Sequence, residues 1–164
     1  MLYENGLEPP KWKANHGVIL ETKRERKSLH FGDWDGDGLC DVLAVDRRTG
    51  NVDVWRNIYK KGDNKPTFEY KAGIVTGNKC TQEWGTARHD LGLRFADIDG
   101  DKRVDYLCLE PNGRVTGYLN TAKGLEDKKQ VQASMGKDRA DIRFADMDGD
   151  GKADFILVDK YTGQ

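Results

Sequence analysis

"FGDWDGDGLCDVLAVD", residues 31–46, places four aspartates within nine positions and then continues into an apolar stretch. The pattern returns as FADIDGDKRVDYLCLE at residues 95–110 and as FADMDGDGKADFILVD at residues 144–159. The first aspartates of successive copies stand 64 and 49 residues apart. A sequence motif that recurs at such intervals predicts a chain built from structural repeats.

The residues around each acidic cluster have the composition of β-strands. SLHF, GLRF and DIRF precede the three clusters, and the stretches that follow are rich in Val, Ile, Tyr and Phe. Turn residues at Thr49-Gly50 and Asn112-Gly113 predict hairpins after the first two clusters. Because no segment shows a sustained helical period, we expect an all-β protein, and the repeat interval is about that of β-propeller blades.

The twelve aspartates of these clusters hold much of the chain's negative charge. The net charge is −1, and setting the twelve aside leaves 27 basic and 16 acidic side chains. The carboxylates are therefore gathered for a local purpose, and the remaining surface favours anionic partners. Nucleic acid is not expected, because the basic stretches at 21–27 and 59–65 contain acidic residues and belong to no recognised nucleic-acid module. No apolar run reaches the length of a membrane span.

Carboxylates at relative positions 1, 3, 5 and 9 of a turn can converge on one ion, and the main-chain carbonyl at position 7 can add another oxygen. Such a set of hard oxygen ligands suits calcium, whereas zinc prefers His or Cys. The predicted ligands are Asp33, Asp35, Asp37, Asp41 and the Leu39 carbonyl in the first loop; Asp97, Asp99, Asp101, Asp105 and the Arg103 carbonyl in the second; and Asp146, Asp148, Asp150, Asp154 and the Lys152 carbonyl in the third. Up to three calcium ions are expected.

The same aspartates could belong to an EF-hand or to ordinary turns. An EF-hand needs a bidentate Glu at position 12, where these loops carry Ala44, Cys108 and Leu157. Turn chemistry alone explains Asp and Gly in one copy, but less well the retention of all four aspartates in three copies. Lys102 stands where the other loops have Gly, so the second site is expected to bind calcium most weakly if that position requires a positive φ.

FGDWDGDGLCD, FADIDGDKRVD and FADMDGDGKAD resemble FG-GAP/VCBS repeats, the calcium-loop β-propeller blades also found in integrin α-subunit heads. The stretch from CTQEWG through GYLN is similar to secreted fungal proteins in which such repeats stand alone or follow a hydrolase domain. The resemblance implies a partial propeller of about three four-stranded antiparallel blades, each with a calcium loop. It divides the chain into a flanking segment, 1–27, and repeats at about 28–80, 81–130 and 131–164.

The third repeat stops at Gln164, where the earlier copies continue into another strand. An incomplete sheet exposes unpaired backbone groups. We therefore expect either a fragment of a longer parent chain, whose blades complete the sheet, or self-association with another chain.

The expected function is a calcium-binding structural and recognition scaffold, part of a larger secreted protein, with a protein or glycan ligand. The alternatives are a calcium-dependent lectin-like module and an accessory domain of a secreted hydrolase. The candidate stacking faces of the lectin-like module are Trp12, Trp34, Trp55 and Trp84, of which Trp34, in the loop, is expected to be exposed. An enzyme is not expected: the histidines are scattered, and an RHD motif at 88–90 is interpreted as a polar surface or loop cluster. Trp55 is expected in the core.

Three cysteines leave at least one thiol unpaired within the chain. A disulfide between Cys40 and Cys80 is conceivable in a secreted protein, and Cys108, within an apolar stretch, is expected to be a buried free thiol.

Overall fold

The computed structural model describes residues 3–6, 11–85, 90–159 and 161–163, which form twelve β-strands. Their bounds are β1 Tyr3–Gly6, β2 Lys11–Asn15, β3 Leu29–Gly32, β4 Asp41–Val45, β5 Val52–Asn57, β6 Phe68–Val75, β7 Leu93–Ala96, β8 Asp105–Leu109, β9 Val115–Thr121, β10 Gly124–Gln132, β11 Ile142–Ala145 and β12 Asp154–Leu157. Within the described residues there is no α-helix, only the two 3-10 turns Arg26–Ser28 and Arg139–Asp141. The all-β prediction is confirmed, and none of the described helical segments could span a membrane.

Consecutive strands pair antiparallel in four separate sheets. β3 to β6 form the first four-stranded sheet, and β7 to β10 form the second in the same order. β11 pairs with β12, and β1 with β2, in two-stranded sheets. The described part of the chain thus contains two four-stranded and two two-stranded sheets, and its described residues do not form a closed propeller.

The second strand of each four-stranded sheet is its most buried element. All five residues of β4 are buried, and so are all five of β8. The third strand alternates instead: Val52 and Val54 of β5 are fully buried while their neighbours are partly exposed. This alternation is typical of a strand with one face in the core, and it explains why each sheet presents an apolar side to the next.

The turns between these strands follow the predicted chemistry. Gly50 and Gly113 both adopt a positive φ, at 68° and 81°, at the hairpin bends. Gly50 also has no room for a side chain, because a Cβ there would lie 2.3 Å from the Tyr106 hydroxyl oxygen. The Tyr106 hydroxyl instead donates to the Gly50 carbonyl at 2.8 Å, which joins the second sheet to the first.

The cysteine prediction was wrong. Cys80 and Cys108 form a disulfide with a Cα–Cα distance of 5.5 Å, and Cys40 is the free, exposed cysteine. Cys40 lies in the acidic loop on the outside of the first sheet, whereas Cys80 is buried in the core cluster that also contains Cys108. The disulfide therefore ties the segment after β6 to the second strand of the next sheet.

Aromatic rings fill the contact between the first and second sheets. Phe95 of β7 packs edge-on against His30 of β3, with ring centroids 5.4 Å apart, and against Trp34, at 6.2 Å. Trp34 is consequently half-buried against the core, not exposed as the sequence suggested, because the second sheet covers it. Trp55, expected in the core, is also only partly buried and lies beside Tyr70, with ring centroids 5.0 Å apart.

A buried arginine joins the second and third sheets. Arg139 is 5% exposed, donates from Nε to Asp90 at 2.5 Å and from Nη1 to the Gln82 carbonyl at 2.7 Å. Asp90, in the loop before β7, is thus paired with an arginine of the 3-10 turn before β11. The other two residues of the RHD motif, at positions 88 and 89, lie outside the described residues.

Candidate metal centres

The first aspartate of each acidic loop organises the turn around itself. Asp33 accepts the Gly36 amide at 2.7 Å on Oδ1 and the Gly38 amide at 2.8 Å on Oδ2. The second and third loops repeat both contacts, at positions 4 and 6, within 2.7–3.0 Å. The carboxylate at position 5 accepts the amide of position 7 at 2.8 Å in all three loops. The three loops therefore share one backbone conformation, fixed by their own aspartates.

Position 6 of each loop requires a left-handed backbone. Gly38 and Gly151 have φ values of 85° and 88°, and Lys102 is held at 73° in the second loop. A side chain in this region is strained by contact between its Cβ and the backbone. Position 6 therefore does require a positive φ, which was the condition for expecting a weaker second site. The second loop, with lysine at this position, is the strained one.

In each loop three carboxylates converge. One oxygen from each of Asp33, Asp35 and Asp37 lies within 4.8 Å of the others, and Asp97, Asp99 and Asp101 do the same in the second loop. In the third loop the converging group is Asp146, Asp148 and Asp154, and all three are exposed. Oxygens gathered so closely could bind a single hard cation such as calcium.

Asp35 has the most unusual environment of these carboxylates. Its Oδ2 pairs with Arg56, which donates from Nε at 2.5 Å and also from Nη2. Its Oδ1 is buried and accepts no hydrogen bond. A buried acceptor without a partner is costly, so this oxygen is suited to a cation within the loop.

In the first two loops the aspartate at position 9 fastens the loop to its sheet. Asp41 accepts the Trp34 amide at 3.0 Å and the Asn57 amide at 2.7 Å. Asp105 makes the equivalent contacts to the amides of Ile98 and Asn120, at 2.9 and 2.8 Å. Both carboxylates therefore connect a loop to the third strand of its own sheet.

Burial changes the acidity of these position-9 groups. Desolvation raises the pKa of Asp105 to about 6, although the hydrogen bonds from the Ile98 and Asn120 amides lower it. The negative charges of Asp99 and Asp97 raise the pKa by a smaller amount. Burial likewise raises the pKa of Asp41. Both groups are therefore held as carboxylates at some electrostatic cost, which a nearby cation would relieve.

Neighbouring loops are linked to each other by an equivalent pair of contacts. The Val104 amide, at position 8 of the second loop, donates to the Asp33 carbonyl of the first loop at 2.8 Å. The Ala153 amide of the third loop donates to the Asp97 carbonyl at 2.7 Å. The position-7 side chains of Arg103 and Lys152 lie against Gly36 and Gly100 of the preceding loops. The three loops therefore form a continuous row along one side of the sheets.

Sequence reasoning missed the residues that support these loops from outside. Asn120 donates from Nδ2 to the Trp34 carbonyl at 2.6 Å and so ties the second sheet to the first loop. A signal was available, because WRN and YLN both end in Asn, at positions 57 and 120, at nearly the same distance after the position-9 aspartate. Arg56 had no such signal, since the second repeat has Leu119 there.

Comparison with known proteins agrees with this repeating arrangement. The family model described as an FG-GAP-like repeat matches residues 33–108 and 97–157. Each matched segment begins at the first aspartate of one loop and runs through the next loop into the strand that follows it. Among curated proteins and solved structures, no significant match to the chain was found. The two segments together span more than half of the 164 residues, and the resemblance inferred from the acidic loops is confirmed: the chain belongs to the FG-GAP-like repeat family.

Proposed function

We propose that this chain is a calcium-stabilised β-propeller repeat module that serves as a structural and recognition scaffold within a larger secreted protein. The observation that carries the proposal is the environment of Asp35 in the first loop. There one carboxylate oxygen of Asp35 lies within 4.8 Å of oxygens from Asp33 and Asp37, and the Oδ1 of Asp35 is buried without a hydrogen bond. Carboxylate oxygens of this number suit calcium rather than zinc.

Each loop would hold one ion through its aspartates, with the carbonyls of Leu39, Arg103 and Lys152 as the proposed main-chain ligands. An ion would offset the mutual repulsion of the carboxylates. Since the loops are linked through the Val104 and Ala153 amides, ordering one loop supports the next. The role of calcium in this account is structural: it stiffens the row of loops along the sheets.

Secretion is supported by the Cys80–Cys108 disulfide, because structural disulfides persist in oxidising compartments. Further strands, from blades of the parent chain or from another copy, would complete the sheet of β11 and β12. This is supported by β12, which pairs with β11 on one side and with no other described strand.

A calcium-dependent lectin-like activity is the second candidate, and one observation favours it. Trp55 and Tyr70 form an aromatic pair on the outer part of the first sheet, and Tyr70 is 50% exposed. Such a surface can stack on a sugar ring. On a glycan array, Trp55→Ala should abolish any calcium-dependent binding, and binding that survives this change would rule out stacking at this pair.

The proposal is tested by counting bound calcium. Calorimetric titration of the calcium-free protein should give three sites per chain, and Asp148→Ala should remove one of them, because it deletes a carboxylate from the converging group of the third loop. Asp63→Ala, a turn aspartate outside the loops, is the matched control and should leave all three. No measurable binding by the unmodified protein would overturn the proposal.

A further inference from the structure

A cleft of about 640 Å³ lies between the first and second sheets, next to the first loop. Its volume is within the range of small-ligand sites in proteins. The apolar part of its wall comes from Trp34, Val54, Ile74 and Leu125, and the polar part includes Asn120. A ligand of a few rings' size could therefore contact both sheets at once.

The charges in the cleft are unbalanced. Arg56, Lys71 and Arg103 line it, and Asp35 is the only carboxylate among its lining residues. Arg103 lies against Gly36 and directs Nη1 toward the Trp34 carbonyl at 3.4 Å. Two guanidinium groups thus meet at the same short segment of the first loop, which favours a ligand with an anionic group, such as a carboxylate or sulfate, that can accept two parallel hydrogen bonds.

Asp35 belongs to both the cleft and the loop. Its Oδ2 accepts from Arg56, which also lines the cleft, and its Oδ1 is buried without a hydrogen bond. One of its carboxylate oxygens belongs to the converging group of the first loop. We propose that the cleft is a calcium-dependent binding site for a carboxylate- or sulfate-bearing ligand, with Arg56 as the residue that couples it to the first loop. The coupling rests on the proposed function, since it requires calcium in that loop.

The coupling follows from charge. When Asp35 binds calcium through Oδ1, its negative charge is shared with the ion, and the guanidinium beside it is repelled by a dication. The remaining acidic partner of Arg56 is Glu69, at 3.5 Å on the exposed edge, and such a pair is weak in water. Arg56 then becomes available to an anion in the cleft.

Linkage makes the effect reciprocal. An anion that holds Arg56 away from Asp35 must raise the calcium affinity of the first loop by the same factor as calcium raises the affinity for the anion. In the calcium-free protein Arg56 acts instead as a substitute cation that neutralises Asp35. This role is absent from the second repeat, where Leu119 precedes Asn120 as Arg56 precedes Asn57.

The test uses the Nε–H resonance of Arg56 in the NMR spectrum, with sodium acetate and sodium sulfate as probes at constant ionic strength. Calcium alone should shift this resonance, and either probe should shift it further only when calcium is saturating. Comparison of the two probes distinguishes a carboxylate ligand from a sulfate ligand. Arg56→Leu, which installs the residue of the second repeat, should raise the calcium affinity of the first loop about tenfold and make it insensitive to both probes.

Arg24→Leu is the matched control, because it removes an arginine that pairs with Asp53 away from the loops; it should leave calcium and probe binding unchanged. If calcium shifts the Gly36 and Gly38 amides but not the Arg56 resonance, or if Arg56→Leu binds calcium no more tightly, the inference is overturned and the proposed function stands. If calcium shifts none of these resonances, both fail.

Discussion

At the scale of the residue, Lys102 is where the second loop differs from the other two, which have glycine at the same position. The left-handed backbone that Gly38 and Gly151 adopt freely is imposed on a lysine in the second loop. The Lys102 amide still reaches Asp97 at 2.8 Å, so the loop conformation is maintained against the strain. The second loop should therefore be the least stable of the three.

Replacement of Lys102 by Gly should raise the free energy of unfolding by about 1 kcal/mol, because the Cβ contact with the backbone is removed. The calcium affinity of the second loop should rise with it. Lys123→Gly is the control, since Lys123 is not among the residues with a positive φ; there the added chain flexibility should lower stability slightly. Urea denaturation of the two variants measures both effects, and a loss of stability in Lys102→Gly would contradict the account.

His30 makes folding sensitive to acid. Burial and the nearby Arg94 lower the pKa of His30 to about 4 in the folded chain, and its Nε2 is buried without a hydrogen bond. The unfolded chain takes up a proton near pH 6.5 that the folded chain refuses until about pH 4, so stability is lost as the pH falls through this window. Asp105 acts in the opposite direction, because its folded pKa of about 6 lies above the unfolded value.

Comparison with His30→Leu isolates this contribution, since the effect of Asp105 is common to both chains. Between pH 7 and pH 4.5 the unmodified protein should lose up to about 3 kcal/mol of unfolding free energy relative to the variant. Denaturation curves at the two pH values measure the difference. Equal losses in both chains would show that His30 titrates normally in the folded state.

At the scale of the element, the contact between successive loops depends on a matched pair of small and large residues. Gly32, at the end of β3, faces Val104, and a Cβ on Gly32 would lie 2.7 Å from the valine Cγ1. In the next contact the corresponding residues are Ala96 and Ala153, which pack in the second core cluster. The combined side-chain volume is therefore similar at the two junctions. The first junction has a glycine facing a valine, and the second has two alanines.

Gly32→Ala should therefore destabilise the protein by about 1–3 kcal/mol through overpacking of this junction. Adding Val104→Ala should recover most of the loss, because the double variant reproduces the alanine pair of the next junction. Thermal and chemical unfolding of the single and double variants form the test. Equal destabilisation in the single and double variants would mean that the two residues do not compete for space.

At the scale of the whole molecule, the sequence was informative wherever the repeat was explicit. The entering strands could be read from residues that recur in all three copies, and the hairpin turns and the positive φ at position 6 from glycines that recur in two of them. The contacts between sheets could not be read from the sequence in this way. The burial of Trp34 under Phe95 and the Cys80–Cys108 disulfide depend on how one sheet lies on the next, which no local pattern encodes.

The same distinction applies to the candidate sites. The converging carboxylates follow from spacing within a loop, and all nine are among the twelve predicted ligands. Asp41, Asp105 and Asp150, also predicted as ligands, lie outside the converging groups. Arg56 lies 21 residues from Asp35 on another strand and occurs in one repeat, so its contact required the folded chain.

Calcium in the loops can be located directly in a crystal structure of the chain grown in calcium, by anomalous diffraction. We expect a peak at each of the three loops, with aspartate oxygens at about 2.3–2.6 Å and the Oδ1 of Asp35 among the ligands of the first. Ordered loops without a peak at any of the three positions would contradict this expectation.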